Sequence, residues 1–184
     1  MCHSTSTTVP CDDSFRIERL DPAKHRREAF RCESAPLTDF IQKRARKEMD
    51  ARASACFVLV PESDPSRIAG YYTLTQTSIV LGKLPSELTK KLPRYPELGA
   101  TLIGRLARDL DWRGTGVGGM LLIDALRRCV RQSEEAGAIV VVTDPKDDKA
   151  RTFYTGYGFM PLDAHRLFIP MKTALAQLAS GGAI

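Results

Sequence analysis

Residues 98–143 leave the chain little choice of architecture. They read as a strand through Asp109, a bend crowded with glycine, a long amphipathic helix over Val117–Ala136 and a second strand over 138–143. In the helix, Leu121, Leu122, Ala125, Leu126 and Cys129 recur at helical spacing, whereas Asp124, Arg127, Arg128, Arg131 and Glu135 fall largely outside that stripe. Gly137 is a natural stop, and Ile139-Val140-Val141-Val142 has the unbroken apolar character of a buried strand. The bend itself runs Asp111-Trp112-Arg113-Gly114-Thr115-Gly116-Val117-Gly118-Gly119. Glycines this dense at a helix start let the backbone curve, so that several N–H groups and the positive end of the helix dipole converge on an anion such as a pyrophosphate.

The chain of 184 residues, 43% hydrophobic and 27% charged, suits one domain with one sizeable core and argues against wholesale disorder. We expect a flexible tail at 1–14, a folded unit at 15–171 and a C-terminal tail at 172–184. Residues 1–13 are polar, without the apolar core of a signal peptide, and no run approaches the ~20 apolar residues of a membrane span. The expectation is a cytoplasmic protein with no membrane partner. Five cysteines without a CxxC pair fit reduced thiols. Cys2, His3 and Cys11 match no usual metal-ligand spacing, so no metal is expected. A formal charge of +5 permits a polyanionic partner without establishing one.

Elsewhere, Phe15-Arg16-Ile17-Glu18-Arg19-Leu20 alternates as a half-buried strand, and a helical pattern begins at Pro36 through Leu37, Phe40, Ile41 and Ala45. Residues 53–60 and 67–78 read as a hairpin across the turn-rich 61–66. A short helix is expected at 85–92. Asp147 can cap a helix that Gly158 ends, 167–171 forms a last strand, and the alanine-rich segment after Lys172 reads as a frayed helix.

Two patterns overlap on the bend. Gly114, Gly116 and Gly119 satisfy G-x-G-x-x-G, with Asp144 at the distance of a ribose-binding acid, but only forty residues follow Asp144 and polar residues precede the first glycine. Arg113, Gly116 and Gly118 satisfy R-x-x-G-x-G, and here the chain resembles the GNAT superfamily of acyl-CoA-dependent N-acyltransferases. Further stretches are similar to the toxins of GNAT toxin–antitoxin modules: Phe30-Arg31-Cys32 with Leu37-Thr38-Asp39-Phe40, Ala69-Gly70-Tyr71-Tyr72-Thr73-Leu74, Lys91-Leu92-Pro93-Arg94-Tyr95-Pro96, Ile103-Gly104-Arg105-Leu106-Ala107 and Ala150-Arg151-Thr152-Phe153-Tyr154. The resemblance implies an α/β (α+β) GNAT fold with a mixed, twisted sheet and flanking helices. It implies acetyl-CoA as acyl donor, with its pyrophosphate on Arg113 and the N–H groups of Gly114, Thr115, Gly116, Val117, Gly118 and Gly119. Its pantetheine arm would lie along Leu106, Ala107 and Arg108. The acceptor so implied is aminoacyl-tRNA, the restraining partner a ribbon-helix-helix antitoxin, and the assembly a homodimer. Thr115 stands where many relatives carry a basic residue, and Asp147 near where some use asparagine.

Acyl transfer needs a neutral amine, a site for the oxyanion and a proton for the thiolate. Deprotonating an α-amine of pKa about 7.7–8.0 at pH 7 costs roughly 1–1.4 kcal/mol, against roughly 4.6 for lysine. The strand facing the cofactor offers Arg105 and Arg108 but no evident glutamate base, which suits the more acidic α-amine. Tyr154, within the family's Ala-Arg-x-Phe-Tyr pattern, is the expected general acid, its ring facing the cofactor cleft while Phe153 fills the core; Tyr157, expected to pack under Phe159, is the reserve. Nothing marks Cys129 or another thiol as a relay nucleophile, so transfer is expected to be direct. Phosphate contacts are expected from Lys43, Arg44, Arg46 and Lys47 on one helix face and from Lys90, Lys91 and Arg94 in the loop before the catalytic strand. A small-amine or protein acetyltransferase, and a non-catalytic acyl-CoA-binding module, are the alternatives.

Overall fold

A computed structural model describes residues 14–180; the tail expected at 1–14 lies outside them except for Ser14, and Cys2, His3 and Cys11 lie outside them altogether. The strands are β1 (Phe15–Arg19), β2 (Ala55–Pro61), β3 (Gly70–Val80), β4 (Glu97–Arg108), β5 (Val140–Thr143), β6 (Met160–Pro161) and β7 (Leu167–Pro170). They form one sheet in the order β1-β2-β3-β4-β5-β7-β6. Only β4 and β5 pair in parallel among the described residues; the others pair antiparallel. A single parallel pair rules out the doubly wound sheet that the dinucleotide reading of the bend requires. Asp144 agrees: it holds Arg166 in a bidentate pair at 2.7 and 2.8 Å.

Helix α4 (Val117–Ala136) lays Leu121, Leu122, Ala125, Leu126 and Cys129 on one face of the sheet, against Tyr72 and Ile103. The other face is covered by α1 (Ala35–Asp39) and α2 (Ala45–Asp50), joined through a π-helical turn at Phe40–Arg44. There Phe40, Ile41 and Ala45 meet Val58, Val60 and Tyr71. Gly70 fixes how closely α4 starts against the sheet. A Cβ on Gly70 would lie 2.7 Å from Leu121 Cδ1 and 3.0 Å from Val117 Cγ1, so a larger residue would lift the first turn of α4 away.

The site depends on an irregularity in β4. Thr73 pairs with Arg105 but Leu74 pairs with Ile103, leaving Gly104 as the extra residue of a β-bulge. The bulge resets the alternation: Ile103 and Leu106 pack toward α4, whereas Ala107 packs toward α1 and α2. Strand β5 accompanies β4 only over Ala100 to Ile103. Beyond it the β5-facing edge of β4, from Gly104 to Arg108, has no strand partner, and the sheet opens into a V.

Two short helices complete the frame, α3 (Ser86–Thr89) and α5 (Asp148–Gly156). The frayed end expected after Lys172 is instead a regular helix, α6 (Met171–Ala179), with Ala174 buried and α4 as its neighbour. Met171, Ala174 and Leu178 join the apolar cluster that α4 forms on the sheet, which makes that segment part of the core.

Candidate active site

The V between β4 and β5 leads into a cleft of about 220 Å³. Leu106, Ala107 and Arg108 form one wall, Gly118 of α4 and Phe153 and Tyr154 of α5 the other, and Cys32, Glu33 and Leu37 the rim. The bend lies at the mouth. Gly114 and Gly116 hold φ of +80° and +79°, a region that side-chain-bearing residues avoid, and Gly116 is the N-cap of α4. No side chain caps this helix, and its first backbone bond runs from Met120 N–H to the Gly116 carbonyl. The N–H groups of Val117, Gly118 and Gly119 are therefore the unpaired donors of the first turn. Val117 is fully buried, whereas Gly118, which lines the cleft, and Gly119 are partly exposed. Thr115 donates its hydroxyl to the Trp112 carbonyl at 2.7 Å and tightens the bend. Buried Trp112 anchors the bend edge-on to Phe15.

Three cations from three elements gather at this mouth on one carboxylate. Glu33 lies 2.6 Å from Arg113, 3.0 Å from Lys149 and 3.7 Å from Arg108. Lys149 first, then Arg113, holds the Glu33 carboxyl below the ordinary glutamate range. Glu33 is placed by Asp109, whose carboxylate accepts the Arg31 N–H at 2.8 Å and ties the 30–33 segment to the end of β4. Arg108 also buries Nη1 without a partner. An orphaned guanidinium nitrogen, a cationic rim and free first-turn N–H groups are what a polyphosphate anion would satisfy.

The two aromatic rings of α5 divide their work. Asp147 caps the helix by accepting the Ala150 N–H at 2.7 Å. Its carboxyl is held low by Lys146 first and by that N–H second. The expected division of the two rings is reversed: the partly exposed ring is Phe153, for which Gly118 leaves room, and the buried ring is Tyr154, edge-on to Phe153 at 5.2 Å and to Phe159 at 5.4 Å. Tyr154 nevertheless lines the floor of the cleft. Burial raises its phenol above the ordinary value, a hydrogen bond with Thr143 pulling the other way, so the group stays protonated at neutral pH. Tyr157 does not pack under Phe159. Its ring meets Phe153 at 5.1 Å and its hydroxyl stands where a Cβ on Gly119 would be, which is why that position is glycine.

Burial pushes the thiols of Cys56 and Cys129 up to about 12, which removes both as nucleophiles. Cys32 at the rim places Sγ 3.2 Å from the Ser34 carbonyl. His25 is buried, bonded to Glu18 at 2.8 Å and to the Asp21 N–H at 2.9 Å, and is structural; His165 is exposed.

Four of the seven basic residues singled out in the sequence already have partners. Lys43 pairs with Asp39, Arg46 with Asp50 and Lys90 with Glu87, while Arg44 lies over the Phe40 ring. Lys47, Lys91 and Arg94 are exposed. Arg105 stacks on Phe40 with its guanidinium 3.7 Å from the ring centroid and pairs with Glu48 at 3.3 Å. Glu33 and Glu48 escaped the sequence reading: neither lies in a pattern that announces a partner distant in the chain.

No family model matches the chain. It is 32% identical over 166 residues to the probable toxin TacT of Sinorhizobium fredii, covering 85% of this chain and 91% of that protein. It is 31% identical over 150 residues to the tRNA-acetylating toxin of Mycobacterium tuberculosis, covering 80% and 87%. Among solved structures it is similar to AtaT complexed with acetyl-methionyl-tRNAfMet, with a TM-score of 0.82, 27% identity and 89% and 98% coverage. AtaTR bound with acetyl-CoA is similar at a TM-score of 0.77 and 27% identity, over 89% and 97% of the two chains.

Proposed function

Because the chain belongs to the family of GNAT toxins that includes TacT and the tRNA-acetylating toxin, we propose that it moves the acetyl group of acetyl-CoA onto the α-amine of an aminoacyl-tRNA and so arrests translation. The observation that carries this reading is the cleft between β4 and α5, cationic at its mouth and closed at its floor by a phenol.

Arg108, Arg113 and the first-turn N–H groups of α4 hold the pyrophosphate in this account. The unpaired edge of β4 at Leu106 and Ala107 accepts the amide-bearing arm as a further strand would be accepted. The neutral amine attacks the thioester carbon, the C–S bond breaks, and the thiolate takes a proton relayed through Tyr154. A phenol at pKa 10 gives its proton to a thiolate near 8.5 uphill by about 2 kcal/mol, and burial increases that gap. The proton leaving the new ammonium therefore has to resupply the phenol as the product forms. Buried Cys56 and Cys129 favour direct transfer. A ribbon-helix-helix antitoxin and a homodimeric state belong to the same proposal, on the resemblance of the sequence motifs.

Cell-free translation tests the proposal. Full-length protein with acetyl-CoA should stop synthesis, and the same protein without acetyl-CoA should not. Arrest that ignores the acyl donor, or no arrest with it, would overturn the reading.

A further inference from the structure

A second cleft, of about 650 Å³, lies far from the bend, between the second half of α4, the start of β2 and the middle of β3. Arg52, Arg128 and Arg131 line it together with Ser54, Gln76 and Gln132; the acid on its rim is Glu135. Arg128 is fixed in place, its guanidinium 4.1 Å above the Phe57 ring and its Nε 2.7 Å from Asp124. Arg131 sits one turn further along α4, and it and Arg52 are exposed, with no ion pair among the described residues.

Arg52 is also the only non-glycine residue with positive φ among the described residues, at +55°. It occupies the C′ position of α2. The Ala53 N–H reaches back to the Glu48 carbonyl at 2.8 Å and the Arg52 N–H to the Met49 carbonyl at 3.0 Å, the double closure that glycine normally supplies. Backbone strain at an exposed arginine has no packing return here, and it projects a guanidinium into a groove that already holds two.

We infer that the Arg52–Arg128–Arg131 groove docks the sugar–phosphate backbone of the RNA acceptor, away from the reacting end. The inference rests on the reading of the chain as acting on aminoacyl-tRNA. The Ser54 hydroxyl is already given to Glu48 at 3.1 Å, but the guanidinium forks with the Gln132 amide beside them match phosphate and ribose oxygens. An acidic protein segment fits less well, because a protein interface wants an apolar anchor and the Phe57 ring is already covered by Arg128. No residue lines both clefts, and along α4 Arg128 and Arg131 stand about 16 and 21 Å from Val117, so contacts in this groove are separate from those of the acyl-donor cleft.

The test pairs Arg52→Gly with Arg131→Gln in the full chain. Glycine relieves the strained φ, so the variant should melt no lower than wild type, which separates lost binding from lost folding. The double variant should show a KM for charged tRNA raised about tenfold and a salt dependence of tRNA binding shallower by about two in log–log slope. Acetylation of a short single-stranded 3′-aminoacyl oligonucleotide should stay unchanged. An unaltered KM and slope, an equal loss on the short acceptor, or loss confined to antitoxin binding would each overturn the assignment. If wild type acetylates neither acceptor, the enzymatic reading fails by itself. The groove is then judged on uncharged tRNA binding, where an unchanged slope refutes it and a shallower one upholds it.

Discussion

Replacing Tyr154 with phenylalanine removes one oxygen from the floor of the cleft and leaves the ring where it is. The ring is held edge-on by Phe153 and Phe159 at 5.2 and 5.4 Å, contacts that phenylalanine reproduces. Thr143 keeps its own bond to the Ile103 carbonyl at 3.1 Å, so no buried hydroxyl is orphaned. The stability change should stay within about 1 kcal/mol, the net value of one buried hydrogen bond. Loss of a positioned proton donor should lower kcat about 10²- to 10⁴-fold, equivalent to roughly 2.7–5.5 kcal/mol of barrier. Coenzyme A affinity should change less than about twofold, because the pyrophosphate contacts lie at the other end of the cleft. Steady-state transfer from labelled acetyl-CoA to charged tRNA, calorimetric binding of coenzyme A and thermal melting together separate the three quantities. A variant within about threefold of wild-type kcat would refute the assignment of the phenol. Joint loss of turnover, binding and melting temperature would show that Tyr154 is a packing residue.

Gly116→Ala should destabilise the chain by about 1–2 kcal/mol, since φ of +79° is strained for alanine whatever the space around it, and should weaken coenzyme A binding; melting and calorimetry check both. Glu33→Gln frees Arg113, Lys149 and Arg108 from a competing carboxylate, so the Kd for coenzyme A should fall about two- to fivefold by titration, and a rise would show that the carboxylate organises these cations instead. The pH profile of kcat/KM should rise as the acceptor amine loses its proton, at or below pH about 8, and show no falling limb before pH 10, because burial raises Tyr154. The same raised group contributes stability that is complete below the free phenol value of 10 and is lost as pH climbs through its folded value, which alkaline melting reads.

How far the fold was legible varies with the range of the interaction. Helix α4 runs over the residues its apolar spacing marked, and Gly137 ends it at φ +64°, because periodicity and a stop residue are local properties. Strand β5 is buried throughout, as its unbroken apolar run indicated. The hairpin of β2 and β3 formed across its turn, although β3 starts at Gly70 rather than Arg67. The bulge at Gly104 was not legible: period-two alternation places Ile103 and Arg105 on one face, and only pairing with β3 reveals the extra residue. Glu33 belongs to the same class, since its three partners lie between 75 and 116 residues away in the chain and no local pattern links them. Helical spacing separates Phe153 and Tyr154 onto different faces but assigns them the wrong way round, because the room that Gly118 leaves for Phe153 is not a local property of α5.

The decisive measurement is the chemical form of the transferred label. With labelled acetyl-CoA and one tRNA pool, half of it charged and half stripped of its amino acids, wild-type protein should label the charged half alone, and mild alkali should release the label as N-acetyl amino acid. Label retained on the stripped tRNA, or appearing on polyamines or protein instead, would contradict the account.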